Sequence, residues 1–152
     1  MLAAKKLSGG PELLYDEGDG EGNWEPGQNE ENAVQDHTKN SDHLYAYTEN
    51  DDVFWVTSEL YDLTEIDIIE VEWEGETDGS EYRGIAVDPT QTYQDLFGAE
   101  KYSYEQGSGA FSRQTQQIDV SIRSGEYYIG VHIYSNNGSF GEYKLYRVER
   151  AP

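Results

Sequence analysis

Hydrophobic and polar positions alternate most clearly in the last third of the chain. There Ile118, Val120 and Ile122 alternate with polar residues, and this period of two sends one set of side chains to a core and the other to water. Residues 127–134 and 143–148 repeat the pattern, and between them lies an Asn-Gly pair that can adopt the positive φ angles of a tight reversal. The pattern predicts three strands that pair in order as an antiparallel meander.

The middle of the chain contains further strand-like runs. Residues 43–48 alternate, and residues 53–58 leave the acidic turn that follows as another strand, which predicts a hairpin. Residues 28–40 are interpreted as a loop with some extended backbone, and residues 74–80 as a loop. The short strand that follows ends before Pro89, because proline cannot donate to a ladder. With turns about every ten residues, the chain is predicted to be all-β, a single antiparallel β-sandwich of jelly-roll type.

The length of 152 residues suits one domain with a core of its own. Residues 1–12 contain an adjacent lysine pair and a Ser-Gly-Gly-Pro breaker, so they are interpreted as a flexible N-terminal arm, and residues 13–152 as the sandwich. The chain contains no cysteine, which excludes disulfides and thiolate metal sites. No apolar run is long enough to span a bilayer, so membrane insertion is not expected.

The charge balance is strongly acidic, with 31 acidic residues against 10 basic ones and a net charge of −21. Nucleic acid is excluded as an expected partner, because phosphates would meet a repulsive field. Two explanations of the acidity stay open: a solubilising surface, or adaptation to molar salt, where screening removes the repulsion between surface carboxylates. The scarcity of lysine and the absence of cysteine favour a halophilic origin.

No sequence motif indicates catalysis. A nucleophile needs a base, and the histidines His37, His43 and His132 lie in no nucleophile-elbow context. His132 alternates out of step with its apolar neighbours, so it is predicted to lie on a solvated outer face. Acidic residues are too abundant for any pair to stand out as a glycosidase site. The chain is therefore expected not to be an enzyme.

Aromatic positions on polar strand faces are the clearest candidates for binding. Tyr45 and Tyr47 share one strand face, and Tyr128 and Tyr134 share a face of another strand. Tyrosine offers a flat apolar ring with a polar tip, which suits sugar stacking and wet protein interfaces. The alternative is that both faces are buried between sheets or subunits.

The loop after residue 15 is a weak candidate for a calcium site. Asp16, Asp19 and Glu21 lie close together in a Gly-rich segment, and calcium prefers several oxygen ligands. The spacing does not match an EF-hand, so the alternative is a solvated loop closed by Trp24. No other cofactor is expected.

The N-terminal arm is predicted to contact neighbouring molecules. Lys5 and Lys6 would meet carboxylates, while the β-prone run Leu13, Leu14 and Tyr15 would add to the open edge of another copy in a symmetric oligomer. The alternative is a frayed terminus.

Four segments carry a resemblance to a known class of modules. LYDEGD at 14–19, SDHLY at 41–45, DLTEIDIIEVEW at 62–73 and the run 118–134 resemble β-sandwich modules in structural proteins of tailed viruses and prophages, tail-associated proteins among them. The ending SGEYYIGVHIYSNNGSFGEYKLYRVE is similar to that of bacterial pre-peptidase C-terminal domains, which accompany a catalytic domain.

The resemblance implies a non-enzymatic virion structural protein of a tailed virus with a halophilic host. It would be a capsid decoration, a turret or a tail-fibre component, located in the virion, with other virion proteins and copies of itself as partners. It would also contribute to attachment to a host-surface glycan or glycoprotein. The alternative is a carbohydrate-binding module of a secreted or surface protein, with an extracellular location.

Overall fold

The computed structural model describes residues 11–19, 23–27, 34–49, 52–92, 97, 102–135 and 139–152. Within these ranges the chain forms ten strands and no helix. The strands are β1 (Glu12–Asp16), β2 (Trp24–Pro26), β3 (Val34–Lys39), β4 (Leu44–Glu49), β5 (Asp52–Thr57), β6 (Tyr61–Asp62), β7 (Ile68–Asp88), β8 (Tyr102–Asp119), β9 (Glu126–Ser135) and β10 (Phe140–Ala151). No helical segment of the described residues has the length and hydrophobicity of a membrane span.

Two antiparallel sheets pack face to face and share one long hairpin. The β4 sheet has the order β3-β4-β10-β7-β8, and the β5 sheet has the order β2-β5-β9-β7-β8. The first half of β7 pairs with β10 and its second half pairs with β9, with a break in register between Thr77 and Glu81. Strand β1 adds to β10, and the short β6 adds to β9. This arrangement is the jelly-roll type of sandwich that the sequence predicts.

Alternating side chains of both sheets fill the space between them. Leu44 and Ala46 of β4 and Val131 and Ile133 of β9 are completely buried there. The largest fully buried side chains are those of three tryptophans: Trp24, Trp55 and Trp73. Burial of large apolar side chains is the main favourable term in folding, so this layer holds the two sheets together.

The predicted hairpin of residues 43–48 with 53–58 is wrong in its pairing. Both strands exist, but β4 pairs with β3 and β10, whereas β5 pairs with β2 and β9. The six residues of β5 are all buried, because Val53 and Trp55 enter the core while Phe54 and Val56 belong to a second apolar cluster. A strand buried on both faces needs cover that a two-stranded hairpin cannot provide.

The predicted C-terminal meander is also wrong in its pairing. Strands lie near the expected places, but β8 ends at Asp119, and Ile122, which was predicted to face the core, is 85% exposed. Strand β8 pairs with β7, while β9 and β10 lie in different sheets. Alternation fixes which side chains face the core, and it does not identify the neighbouring strand.

One segment interpreted as a loop is part of a strand. Residues 74–80 belong to β7, where Glu74, Glu76 and Asp78 alternate with Gly75 and the buried Thr77. The inward positions carry no large apolar side chain, so the hydrophobic alternation is hidden. Residues 34–39 form β3, within the segment where some extended backbone was expected, and Pro89 follows the end of β7 as expected.

Candidate functional site

The four candidate tyrosines occupy two opposite surfaces. Tyr45 and Tyr47 lie on the outer face of the β4 sheet, because Leu44 and Ala46 point into the core. Tyr128 and Tyr134 lie on the outer face of the β5 sheet. The two pairs therefore cannot form one continuous site.

An open cleft lies on the outer face of the β4 sheet, and we call it the β4 cleft. Its volume is about 270 Å³. Four strands supply its lining: Tyr45 from β4, Glu142, Tyr143 and Lys144 from β10, Glu74, Gly75 and Glu76 from β7, and Ala110 and Phe111 from β8. The register explains this grouping, since Lys144 lies opposite Tyr45 on one side and opposite Glu74 on the other.

Short hydrogen bonds hold the aromatic rings near the cleft. The hydroxyl of Tyr45 donates to Glu142 Oε2 at 2.5 Å, and that of Tyr146 donates to Glu74 Oε1 at 2.6 Å. Burial, together with the neighbouring carboxylate, raises the pKa of Tyr45 well above its usual range and that of Tyr146 to about 12. Both phenols therefore stay neutral donors at physiological pH, and the rings have fixed orientations.

Gly75, at an inward position of β7, packs closely against its neighbours in the lining of the β4 cleft. A Cβ atom on Gly75 would lie 2.5 Å from the backbone oxygen of Glu142 and 2.8 Å from the ring of Phe111. That ring packs edge-on against Trp73, with centroids 5.3 Å apart, and the guanidinium of Arg83 lies 3.8 Å from its centroid. The close packing leaves no space for a side chain at position 75.

Tyr47 continues the aromatic surface beyond the cleft. Its ring stacks on Phe140 with centroids 6.3 Å apart and an interplanar angle of 16°. Its hydroxyl donates to Glu49 Oε1 at 2.7 Å. The outer face of the β4 sheet thus combines exposed aromatic edges with carboxylate acceptors.

The outer face of the β5 sheet is largely covered by apolar side chains. Tyr128 packs against the cluster that contains Phe54 and Ala86, as does Phe97. Tyr134 contacts Tyr82, with centroids 6.1 Å apart. Tyr82 is 37% exposed, so it is the most open described aromatic side chain of this face.

The prediction that His132 is solvated is wrong. Its position on the outer face of β9 is as expected, but only 2% of the residue is exposed. Its Nδ1 lies 2.8 Å from Asp52 Oδ1, and the ring of Phe97 stacks on it at 3.9 Å. The second apolar cluster covers this face, so the histidine and its carboxylate partner tie β9 to β5.

The other two histidines have different hydrogen-bond partners. His37 Nε2 is 2.9 Å from the carbonyl oxygen of Phe54, and desolvation lowers its pKa. His43 Nδ1 is 2.7 Å from Asp42 Oδ1. His37 and His132 therefore both lie beside Phe54, which is opposite His132 in the pairing of β5 with β9, whereas His43 immediately precedes β4.

The proposed calcium ligands are only partly described. Asp16 and Asp19 are joined by two backbone hydrogen bonds, and Asp16 Oδ1 lies 3.3 Å from Arg147 Nε. Glu21 lies outside the described residues. Where the structure is described, no group of three or more histidine or acidic side chains is arranged to hold a metal ion. The cation site stays a prediction.

Trp24 closes this segment as expected, since it is buried and donates to the carbonyl of Leu14 at 3.2 Å.

The residues assigned to the arm contact have different environments. Strand β1 pairs with β10 of the same chain, and Leu14 and Tyr15 are buried in that chain's own core. These two side chains are therefore unavailable to a neighbouring copy, which corrects the prediction. Leu13 is 44% exposed, and Lys5 and Lys6 lie outside the described residues.

Several residues of the β4 cleft were not identified from the sequence. Lys144 lies within the alternating run 143–148, and Glu142 could have been found by extending that run one position towards the N-terminus. Phe111 carries no such signal, because its place in the cleft depends on the pairing of β8 with β7.

Comparison with known proteins shows the fold. The chain matches no protein-family model and no curated protein sequence. Among solved structures it is similar to the carbohydrate-binding module TmCBM27, studied for specific mannan recognition, with 13% identity and a TM-score of 0.55 over 92% of this chain and 98% of that one. It is also similar to the family 11 carbohydrate-binding module of Clostridium thermocellum, solved in complex with a β-1,3-1,4-mixed-linked tetrasaccharide. That match has 17% identity and a TM-score of 0.52, and it covers 93% of this chain and 95% of the module.

A third similarity involves part of a larger enzyme chain. The glycoside hydrolase domain structure of Endo-D from Streptococcus pneumoniae matches with 14% identity and a TM-score of 0.52, covering 84% of this chain but 21% of that chain. At such identities these likenesses define a class of architecture. The chain is a jelly-roll β-sandwich of the type found in carbohydrate-binding modules.

Proposed function

We propose that the chain is a non-catalytic carbohydrate-binding module and that its glycan binds in the β4 cleft. The observation that carries this proposal is the oriented ring of Tyr45 beside three carboxylates in an open cleft of about 270 Å³. A tyrosine edge offers apolar contact to a sugar ring, while carboxylates accept hydrogen bonds from its hydroxyls. The fixed hydrogen bond to Glu142 lowers the entropy lost on binding.

The structural neighbours support this assignment of class. TmCBM27 is described as recognising mannan, and the family 11 module is described with a bound mixed-linked tetrasaccharide. Both match nearly their whole length, so the proposal concerns the entire domain. An extracellular location would accompany it.

The virion role, the halophilic host and the similarity to pre-peptidase domains stay predictions from the sequence. A glycan-binding module on a virion would serve host attachment, so the two assignments are compatible. The absence of catalysis also stays a prediction, and turnover of oligosaccharides by the purified chain would contradict it.

Affinity electrophoresis through gels containing soluble polysaccharides tests the proposal. We expect retardation by at least one glycan among mannans, mixed-linked β-glucans, galactans and chitosan. The variant Tyr45→Ala should lose most of this retardation, since it removes the aromatic ring that offers apolar contact to the sugar.

A variant on the opposite face provides the control. Tyr134→Ala removes a tyrosine from the β5 sheet and should bind as the parent chain does. If Tyr134→Ala abolishes retardation and Tyr45→Ala does not, the site lies on the β5 sheet and the β4 cleft is not the binding site.

A further inference from the structure

Two carboxylates face each other across the β4 cleft. Glu76 of β7 lies directly opposite Glu142 of β10 in the strand register. On its other side Glu76 lies opposite Ala110, and Glu142 lies opposite Tyr47. Like charges directly opposite in a sheet are destabilising, and neither flanking residue offers a compensating positive charge.

The nearest cations of the β4 sheet already interact with other acids, and the guanidinium of Arg83, from the second half of β7, lies over the ring of Phe111. Lys144 Nζ lies 3.9 Å from Glu74 Oε1. Arg113 pairs with Glu72 at 2.5 Å and with Glu17 at 2.6 Å, and it covers the ring of Tyr146. Three carboxylates and one ammonium group therefore line the cleft.

The hydrogen-bonding capacity of the cleft is one-sided. The hydroxyl proton of Tyr45 is donated to Glu142 and that of Tyr146 to Glu74, so neither is directed to a ligand. Each carboxylate retains lone pairs that accept hydrogen bonds. Apart from the tyrosine hydroxyls, Lys144 is the only described side chain of the lining that can donate a hydrogen bond. A complementary ligand brings both positive charge and hydrogen-bond donors.

We propose that the β4 cleft selects glycans with free amino groups over neutral or acidic glycans of the same backbone. This inference rests on the proposed carbohydrate-binding function. An ammonium group on a sugar that contacts Tyr45 would lie between Glu76 and Glu142, relieve their repulsion and supply three donors. A bound metal ion is not favoured, because the described residues assemble no group of three potential ligands.

Calorimetric titration with three β-1,4-linked trisaccharides tests the selection: glucosamine, N-acetylglucosamine and glucose. At about pH 6 the amines are protonated. We expect the glucosamine trisaccharide to have a Kd at least about tenfold lower than the other two. The difference should shrink as salt rises from about 0.1 M to about 1 M, because screening weakens charge pairing.

Two single-charge variants separate site binding from general attraction to an acidic protein. Glu76→Gln should remove most of the preference for the amine, while Glu126→Gln, which removes an exposed charge at the start of β9, should keep it. An equal loss in both variants would overturn the proposal, as would equal affinity of the parent chain for the three trisaccharides. Equal, measurable affinities abolished by Tyr45→Ala would leave the carbohydrate-binding function standing. No binding to any glycan would remove both.

Discussion

The hydroxyl of Tyr143, in the β4 sheet, donates a hydrogen bond to the carbonyl oxygen of Val131, in the β5 sheet, at 2.6 Å. The same hydroxyl accepts from the backbone N–H of Trp55 at 3.1 Å. Trp55 and Val131 are opposite each other in the pairing of β5 with β9. One buried phenol therefore satisfies two backbone groups of the opposite sheet, and burial raises its pKa far above the usual range.

Replacing Tyr143 with phenylalanine tests how much these two hydrogen bonds contribute to the free energy of unfolding. The change leaves a buried N–H and a buried carbonyl without the hydroxyl, and each unsatisfied buried group costs about 1–3 kcal/mol. We expect the free energy of unfolding in urea to fall by about that amount. Tyr47→Phe, which removes an exposed hydroxyl, should change it by less than about 0.5 kcal/mol. Equal stabilities of the two variants would show that the buried hydroxyl contributes nothing.

Gly75→Ala should damage both the fold and the β4 cleft. The new methyl group would lie 2.5 Å from a backbone oxygen, so β7 and β10 must separate locally. We expect a loss of about 1–3 kcal/mol in unfolding free energy and weaker glycan binding. Gly141→Ala is the control, because its Cβ would lie no closer than 3.3 Å to a neighbouring side chain. A fully stable Gly75→Ala variant with unchanged binding would contradict the geometry of the cleft.

Removing one member of the buried pair of His132 and Asp52 should destabilise the β5 sheet. Both side chains are nearly inaccessible, with 2% and 3% exposed. Removing one partner leaves the other buried polar group without this hydrogen bond, which costs about 1–3 kcal/mol. We expect such losses for His132→Ala and for Asp52→Ala in urea unfolding. The double variant should lose less than the sum of the two, and strict additivity would show that the residues do not interact.

Stability should fall at high pH because of Tyr146. Burial, and next the hydrogen bond to Glu74, raise the pKa of Tyr146 to about 12 in the folded chain, above the value of about 10 for an unfolded tyrosine. The folded state therefore binds this proton more tightly, so its contribution is complete below about pH 10 and is lost as pH rises towards about 12. Glu74→Gln should move the phenolate absorbance transition of Tyr146 to lower pH, and Tyr146→Phe should remove that transition from the spectrum.

Salt dependence tests the halophilic origin expected from the net charge of −21. If the acidity is an adaptation to molar salt, the melting temperature should rise steadily between dilute buffer and molar KCl as the screening length falls from about 10 Å to about 3 Å. Calorimetric or fluorescence melts measure this directly. A melting temperature that does not change with salt would favour the simple solubilising surface.

Sequence reasoning located the strands better than their partners. The alternation around Leu44 and Ile129 identified which side chains enter the core, because side-chain direction is a local property of a strand. Pairing is decided by contacts between segments that are distant in the chain. The predicted pairing of β4 with β5 was therefore wrong, as was the predicted pairing of β8, β9 and β10 in order. The strand at residues 74–80 was missed since glycine and threonine occupy its inward positions.

The candidate site shows the same division. Tyr45 and Tyr47 were recognised from one strand, whereas Glu76, Phe111 and Glu142 enter the cleft through pairings between β7, β8 and β10. The environment of His132 was missed because the second apolar cluster depends on Phe97, far away in the chain. The local sequence pattern predicts the direction of a side chain, whereas the chemistry of a surface depends on the residues that strand pairing places next to one another.

The hairpin of β7 and β8 has a mechanical consequence. Since β7 pairs with β10 in one sheet and with β9 in the other, a pulling force that separates the sheets must act along a strand hydrogen-bonded in both. The backbone hydrogen bonds between β7 and β10 and those between β7 and β9 would bear this force together with the core contacts. A tethered module that holds a polymer on one face would therefore resist being pulled open, and its rupture would begin at the short edge strands β2 and β6 rather than at the centre of the sandwich.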